Sequence, residues 1–313
     1  MKMIKVIEGL EMTDIALGAG KRGDPAVTQE AFRIMDKYLE LGGNCFDTAR
    51  LYEGGRSDIV LGEFLKSRGN RKDVVLCTKG NHPDPATMFV SRLSKEEIEG
   101  DLHESLAAIG TDYTDMHLLH RDNVKLPVGP IVEALSGLVT SGKARAYGVS
   151  NWSVTRIAEA IAFAKDNGLV APSLCQLHYS LLETTAPATG DITHVPMNGI
   201  EFGWYLENQF PVMAFGSQGR GYFARVAAGE PQKEGGVRYY GWLPQNEGRT
   251  ARLINMAKEM GVSIAALATA YVRDSGLKAS ALCAFSSVAQ LVDSMGADAF
   301  TLTPAQIAQL EGK

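Results

Sequence analysis

The feature that most constrains the fold is a regular alternation of short apolar runs with amphipathic helical windows. Eight runs could form buried strands, and eight windows with helical periodicity follow them. Strands that are apolar on both faces and alternate with helices are typical of a parallel sheet covered by helices. The runs are 15–17, 44–46, 74–77, 116–119, 144–149, 174–176, 212–215 and 281–284, and the windows are 27–41, 56–67, 94–109, 130–141, 153–167, 199–208, 249–260 and 288–296.

Eight strand–helix units favour closure of this sheet into a barrel. The chain has 313 residues, which suits one large α/β domain or two smaller ones, and no linker divides it. An open doubly wound sheet would carry a GxGxxG turn after its first strand, but LGAG at 17–20 is only a weak imitation. We therefore predict an α/β fold, a single (β/α)8 TIM barrel over 1–313, with long loops at 80–93 and 216–248 after the third and seventh strands.

Composition and charge argue against several classes of function. The formal net charge is −5, so no basic surface for nucleic acid or an anionic membrane is expected. No run of ~18 apolar residues predicts a transmembrane helix, and the first residues lack the apolar stretch of a secretory signal. The four cysteines lie far apart beside apolar runs, which predicts reduced core residues rather than a metal site. The sequence thus predicts a cytoplasmic protein.

Four chemically active side chains follow successive predicted strands. Asp47 and Tyr52 follow the second run, Lys79 the third and His120 the fourth. Each has an ordinary interpretation alone: a capping aspartate, a packing tyrosine, an exposed lysine and a core histidine. Because the carboxyl ends of barrel strands share one mouth, their joint occurrence instead favours an active site.

The motifs around these residues resemble those of the aldo-keto reductases. The resemblance rests on GGNCFDTARLYEGGRSDIVLGEFLK, VVLCTKG, DMHLLHRD, AYGVSNWS and LCQLHYSLLE, in the order that the family shows. It extends over about residues 4–296. The resemblance implies a (β/α)8 barrel and NAD(P)H-dependent reduction of a carbonyl substrate.

Carbonyl reduction requires a hydride from the nicotinamide and a proton for the developing alkoxide. We assign Tyr52 as the general acid/base, Lys79 as the cation that lowers the pKa of its phenol, and Asp47 as the partner of the lysine. His120 would polarise the substrate oxygen. Arg50, in the same motif, has no predicted role beyond a solvent-facing or rim contact.

The resemblance also implies a cofactor site at the later strand ends. Ser150, Asn151 and Gln176 would hydrogen-bond the nicotinamide carboxamide, although Ser150-Asn151 could also cap the helix that follows. Phe215 would stack on the nicotinamide ring, where the family more often has tyrosine. The loop that follows includes Gly216, Ser217 and Gln218. Its backbone N–H groups could contact the pyrophosphate.

The adenosine end departs most from the family pattern. Many relatives carry a lysine or arginine just after the eighth strand, which pairs with the 2′-phosphate of NADP. Here Ser286, Ser287 and Gln290 are neutral, so NADP is implied by the resemblance, but NAD or dual use is a real alternative. Arg249 or Arg252 could supply a cation from elsewhere.

The long loops predict where a carbonyl substrate would enter. The second of them, 216–248, is rich in aromatic residues, and an open mouth lined by polar and aromatic residues favours a sugar-like or bulky polar substrate. The candidates for the mouth are Tyr222, Phe223, Arg238, Tyr239, Tyr240, Trp242, Trp152, His82, Met88 and Phe89. Two other functions stay open: a barrel lyase that uses Lys79 as a Schiff base, and a nucleotide-binding redox sensor or regulatory protein.

Overall fold

The chain forms a closed barrel of eight parallel strands, as predicted. The computed structural model describes residues 1–19, 25–88 and 90–313. The barrel closes in the order β10-β3-β4-β5-β6-β7-β8-β9, and every neighbouring pair is parallel. Its strands are β3 (Ile15–Gly18), β4 (Cys45–Asp47), β5 (Val75–Gly80), β6 (Thr114–Leu119), β7 (Ala144–Ser150), β8 (Cys175–His178), β9 (Val212–Phe215) and β10 (Ala279–Cys283).

All eight predicted helical windows contain helices, which surround the barrel. The helix α3 begins with a capping box, in which Ser94 and Glu97 accept from each other's backbone N–H groups, and Gly110 is its C-cap. The helices are α1 (Pro25–Glu40), α2 (Arg56–Arg68), α3 (Lys95–Ile109), α4 (Val128–Thr140), α5 (Val154–Asp166), α6 (Ala186–Thr189), α7 (Gly199–Asn208), α8 (Tyr222–Ala228), α9 (Glu234–Tyr240), α10 (Gln245–Met260), α11 (Ile264–Arg273), α12 (Val288–Met295) and α13 (Pro304–Glu311).

A hairpin that the sequence patterns did not predict precedes the barrel. The strands β1 (Met3–Ile7) and β2 (Leu10–Thr13) pair antiparallel, and their apolar side chains pack with residues of the barrel interior. The hairpin runs directly into β3 through Asp14, so it lies at the amino-terminal end of the barrel strands. The residues predicted to form the active site lie at the opposite end of the barrel.

Two predicted connections differ from the structure. The loop predicted at 80–93 begins inside β5, because Gly80 is its last residue. The loop predicted at 216–248 carries α8 and α9 and the first residues of α10. Short helices without a clear apolar periodicity give a weak sequence signal, which explains this difference.

The structure also bears on the cysteines, on membrane-spanning helices and on metal binding. All four cysteines are buried and none forms a disulfide, as predicted. Within the described residues, no helix is both long and apolar enough to cross a lipid bilayer. Over the same residues, His, Cys, Asp and Glu side chains nowhere gather in a group of three that could hold a metal ion.

The contact between α2 and α3 allows a direct test of the packing. A Cβ atom on Gly62 would lie 2.3 Å from the carbonyl oxygen of Ile109, which is backbone and cannot move aside easily. We expect Gly62→Ala to lower the free energy of unfolding by about 1–3 kcal/mol, measured by urea denaturation.

The matched control is Gly100→Ala in α3, where an added Cβ would meet no atom within 4 Å. It should leave stability unchanged or raise it by up to about 1 kcal/mol, because alanine favours helix over glycine. A Gly62→Ala protein as stable as the wild type would contradict the close approach of α2 and α3.

Candidate active site

One cavity at the carboxyl ends of the barrel strands gathers most of the predicted site residues. Its volume is about 1020 Å³. Lys79 is buried beside this cavity, and Ser287 caps a helix next to it. The predicted residues that line the cavity are Asp47, Tyr52, His120, Ser150, Asn151, Gln176, Phe215, Gly216, Ser217, Gln218, Ser286 and Gln290.

Asp47 and Lys79 form a buried ion pair. The Lys79 Nζ lies 2.5 Å from Asp47 Oδ1, and both side chains are almost fully removed from solvent. Gln176 Nε2 donates a second hydrogen bond, of 2.8 Å, to the same oxygen. Burial acts to lower the pKa of Lys79, but the negative charge of Asp47 outweighs burial and raises the pKa. The lysine is therefore a fixed cation.

Lys79 lies within a strand rather than after one. The sequence placed it beyond the third run, but β5 extends to Gly80 and its residues are buried throughout. Gln176 likewise lies in the middle of β8 rather than at its end. Polar residues inside a strand weaken its apolar signal, so the predicted strands ended too early.

Tyr52 lies directly above this ion pair. The Lys79 Nζ is 4.9 Å from the centroid of the Tyr52 ring. Gly54 and Gly55 adopt φ values of 65° and 90°, which glycine tolerates best, and they let the chain turn tightly from Tyr52 into α2. The glycine-rich motif thus fixes the position of the phenol at the cavity wall.

The predicted lowering of the Tyr52 pKa is wrong for this arrangement. Burial raises the pKa of the phenol, and the positive charge of Lys79 only partly opposes that effect. The extent of burial cannot be read from the motif, which explains the error. A phenol whose pKa is raised stays protonated at neutral pH, which is the form that can donate a proton.

His120 faces Tyr52 across the cavity. Their ring centroids are 5.7 Å apart, and the ring of His82 lies 4.9 Å from that of His120. Burial and the neighbouring charges of Arg121 and Lys79 hold the pKa of His120 well below its usual range. The imidazole is therefore neutral at neutral pH, and it can hydrogen-bond a substrate oxygen without introducing a charge.

An arginine cluster beside His120 was missed by the sequence patterns. Arg121 donates to the carboxylate of Asp191 through Nε and Nη2, at 3.1 and 3.0 Å. Its Nη2 also lies 2.9 Å from His194 Nε2, and its Nη1 donates to the His120 carbonyl oxygen at 2.8 Å. Asp191 is 70 positions away, so no local motif links it to Arg121. The cluster fixes the backbone next to His120.

The residues predicted to hold a carboxamide lie together on one wall. Asn151 Nδ2 donates to Ser150 Oγ at 3.0 Å, and within the described part of the chain the buried Asn151 Oδ1 has no hydrogen-bond partner. Asn151 has φ = 58°, and its N–H donates to the Gln176 carbonyl oxygen at 3.0 Å. The alternative that Ser150-Asn151 caps the next helix is wrong, since Ser153 is the N-cap of α5.

Phe215 and the loop after it form the next part of the wall. The half-buried Phe215 ring contacts the rings of His178 and His194, with centroids 5.6 and 5.8 Å apart. Ser217 Oγ donates to the Leu282 carbonyl oxygen at 3.0 Å. Gln218 Nε2 donates to the hydroxyl oxygens of Thr269 and Ser294, at 3.0 and 2.7 Å. The side chains of this loop are thus anchored to the barrel and its helices.

The predicted residues after the last strand have mainly structural bonds. The Ser287 hydroxyl accepts from the Gln290 N–H as the N-cap of α12, and the Gln290 side chain accepts from the Ser286 N–H at 2.9 Å. Ser286 and Gln290 also line the cavity, as does the carboxylate-bearing Asp293. This end of the cavity therefore offers neutral and acidic groups.

The alternative cations named from the sequence are engaged elsewhere. Arg249 pairs with Glu183 at 2.6 Å, and Arg252 donates to the Leu310 carbonyl oxygen at 3.0 Å. Besides Arg121, the cavity is lined by cations of the segment after β9, which the sequence interpretation did not assign: Arg220, Arg225 and Lys233. The Arg220 guanidinium lies over the Tyr239 ring, 4.7 Å from its centroid.

The aromatic residues predicted at the mouth divide into several groups. His82, Phe223 and Tyr239 line the cavity. Trp152 is buried in the core, whereas Trp242 is half exposed and donates to the Arg238 carbonyl oxygen. Phe89 lies outside the described residues. Arg50 does not line the cavity. It pairs with Glu104, and its Nε lies 3.3 Å from Asp101 Oδ1.

Comparisons with known proteins agree with this geometry. The chain is 32% identical over 159 residues to aryl-alcohol dehydrogenase GME11368 of Pestalotiopsis microspora, covering 49% of this chain and 41% of that one. It is 28% identical over 289 residues to norsolorinic acid reductase stcV of Emericella nidulans, covering 87% and 70%. The chain thus spans less than half the length of the first relative.

A solved structure and a family model extend the match to nearly the whole chain. An aldo/keto reductase from Klebsiella pneumoniae, in complex with NADP and acetate, superposes with a TM-score of 0.73 at 25% identity, covering 97% of this chain and 92% of that one. The model described as the aldo/keto reductase family matches residues 14–313, which include every barrel strand and the whole cavity. With its eight-stranded barrel and this continuous match, the chain belongs to the aldo/keto reductase family.

Proposed function

We propose that the chain reduces an aldehyde or ketone to the alcohol with NAD(P)H, and that Tyr52 donates the proton. The observation that carries the proposal is the convergence of Tyr52, the Asp47–Lys79 pair and the neutral His120 at one end of a long cavity. A protonated phenol beside a fixed cation can donate a proton to the alkoxide that forms when a carbonyl group is reduced.

The residues along the cavity fit a nicotinamide cofactor. The buried Asn151 Oδ1 is an acceptor for a carboxamide N–H, and the Ser150 hydroxyl lies next to it. The ring of Phe215 on the neighbouring wall offers a face for the nicotinamide. When bound, the reduced nicotinamide supplies the hydride for the carbonyl carbon.

The protein groups then have distinct tasks. The carbonyl oxygen of the substrate accepts hydrogen bonds from Tyr52 and His120, which orient it and stabilise its developing negative charge. Tyr52 transfers its proton to that oxygen as the alcohol forms. Lys79 stabilises the phenolate left behind, and Asp47 holds the lysine in place and balances its charge.

A Schiff-base lyase fits the structure less well. A lysine must be neutral and accessible to attack a carbonyl carbon, but Lys79 is fully buried and its pKa is raised. Borohydride trapping of a carbonyl compound on Lys79 would support the lyase. A redox sensor or regulatory protein is the other alternative, and it predicts cofactor binding without turnover.

We propose dual use of NADPH and NADH. The cavity lining after β10 offers Ser286, Gln290 and Asp293, where an extra phosphate would find no cation of that segment. The cations from the segment after β9 can attract either dinucleotide, because both carry a pyrophosphate. We expect the two Kd values from matched fluorescence titrations to differ by less than about tenfold, or about 1.4 kcal/mol.

The variant Gln290→Arg would supply the missing cation. It should tighten NADPH binding by about tenfold or more and leave NADH within a few-fold, because a hydrogen bond to a charged group is worth about 1.5–3 kcal/mol. A wild-type preference of more than about a hundredfold for NADPH would contradict dual use.

Turnover tests the proposed function itself. The purified protein, with NADPH or NADH, is offered a broad panel of aldehydes and ketones, and loss of the reduced cofactor is followed by absorbance. We expect reduction of several carbonyl compounds. Tight cofactor binding with no reduction across the panel would contradict the proposal and favour the regulatory alternative.

A further inference from the structure

His82 lies on the cavity wall next to His120, and one neighbouring contact fixes its tautomer. Its Nδ1 is 2.7 Å from the Pro83 carbonyl oxygen. A carbonyl oxygen can only accept, so Nδ1 must carry the hydrogen. Burial lowers the pKa of the ring below its ordinary value, so the imidazole is neutral at neutral pH. Its Nε2 is therefore a hydrogen-bond acceptor.

The backbone around His82 is held firmly. The Asn81 N–H donates to Asp101 Oδ2 at 2.7 Å, and the Asn81 side chain donates to the Arg92 carbonyl oxygen at 2.8 Å. Asp101 is also paired with Arg92 and Arg50. The imidazole therefore projects from a fixed segment, as a residue that sets specificity should.

The second histidine on this wall is already fully engaged. His194 Nδ1 lies 2.8 Å from the Thr189 hydroxyl, which donates its own hydrogen to the Ala186 carbonyl oxygen. Nδ1 must therefore donate to Thr189, which leaves Nε2 to accept from Arg121 at 2.9 Å. By contrast, His82 Nε2 has no hydrogen-bond partner among the described residues. It is thus available to a ligand.

We infer that His82 accepts a hydrogen bond from a hydroxyl on the carbon next to the substrate carbonyl. This inference rests on the proposed function, because it takes the carbonyl oxygen to lie between Tyr52 and His120. The His82 ring is 4.9 Å from that of His120, which suits two imidazoles that bind oxygens on adjacent carbons. The preferred substrates are α-hydroxy aldehydes and ketones, the class to which open-chain sugars belong.

The test compares two aldehydes that differ by one hydroxyl, lactaldehyde and propanal. The wild type should have a kcat/KM about tenfold higher for lactaldehyde, as expected for one further hydrogen bond. His82→Phe should bring this ratio close to one. His82→Gln, whose amide oxygen can accept, should retain part of the preference.

The controls separate this inference from the proposed function. His103→Phe makes the same change on the exposed face of α3 and should leave the ratio as in the wild type. Cofactor titration of each variant checks that it is folded. Equal kcat/KM values for both aldehydes in the wild type, or an unchanged ratio in His82→Phe, would overturn the role of His82. Reduction of neither aldehyde, nor of any other carbonyl compound, would overturn the proposed function.

Discussion

Replacement of Tyr52 by phenylalanine is expected to lower kcat for carbonyl reduction by about 10²–10⁴-fold, the usual contribution of a positioned general acid. The variant keeps the aromatic ring, and with it the edge contact to His120 and the cation–π contact with Lys79. It removes only the hydroxyl that would donate the proton. Steady-state kinetics with NADPH and a carbonyl compound that the wild type reduces well provide the measurement.

The matched control for this variant is Tyr113→Phe. Tyr113 lies away from the cavity, where its ring stacks with the Arg71 guanidinium at 4.1 Å. The variant Tyr113→Phe should keep wild-type turnover. Cofactor affinity of Tyr52→Phe should remain within a few-fold of the wild-type value, because the predicted carboxamide contacts are untouched. If Tyr52→Phe turns over as fast as Tyr113→Phe, Tyr52 is not the proton donor.

Neutralising one partner of the Asp47–Lys79 pair should have the largest effect on stability. Asp47→Asn leaves a buried ammonium without its counter-charge, and Lys79→Met leaves a buried carboxylate. Each change is expected to lower the free energy of unfolding by about 3–5 kcal/mol. Urea denaturation measures the change in the free energy of unfolding. Both variants should also lose most of their reductase activity.

The double variant Asp47→Asn/Lys79→Met distinguishes the pair from general damage. It contains no unpaired charge, so its loss of stability should be smaller than the sum of the two single losses by about 0.5–3 kcal/mol. Activity should not recover, because the phenolate of Tyr52 would lack its cation. Additive losses of stability would show that the two charges do not interact.

The pH of this experiment follows from the pKa of Lys79. The pKa is raised in the folded protein relative to its ordinary value of about 10.4. The ion pair therefore contributes its full stability below that ordinary value, and the contribution is lost as the pH rises through the raised pKa. Measurements at pH 7 capture the whole effect. Strongly alkaline solutions should weaken the difference between wild type and double variant.

The barrel could be predicted because its strands are short apolar runs, whereas its main helices show the apolar periodicity of amphipathic helices. The elements that were not predicted include α11 and the β1–β2 hairpin. The helix α11 follows α10 after only a short connection, so a pattern of one helix for each strand left no place for a second helix there. The β1–β2 hairpin turns at Glu8-Gly9, where Gly9 has φ = 73°. Its two strands are short and lie outside the repeating strand–helix pattern, so the turn signal was missed.

The catalytic residues of the candidate site could be predicted because they come at or near the ends of consecutive strands in the sequence. Asp47, Tyr52, Lys79 and His120 follow from their predicted positions after the second, third and fourth runs, although Lys79 in fact lies within β5. The arginine cluster could not be found, because Arg121 and Asp191 meet only in the folded chain. The direction of the Tyr52 pKa shift was also inaccessible, since it depends on how far the fold removes the phenol from water.

Transfer of a labelled hydride tests the central claim most directly. The wild type is mixed with NADPH deuterated on the transferred position of its nicotinamide and with an aldehyde, and the alcohol is analysed by mass spectrometry. The proposal predicts one deuterium on the carbinol carbon in the wild type, and a rate of its appearance that is lower by about 10²–10⁴-fold in Tyr52→Phe. An alcohol without deuterium, or equal rates in both proteins, would contradict it.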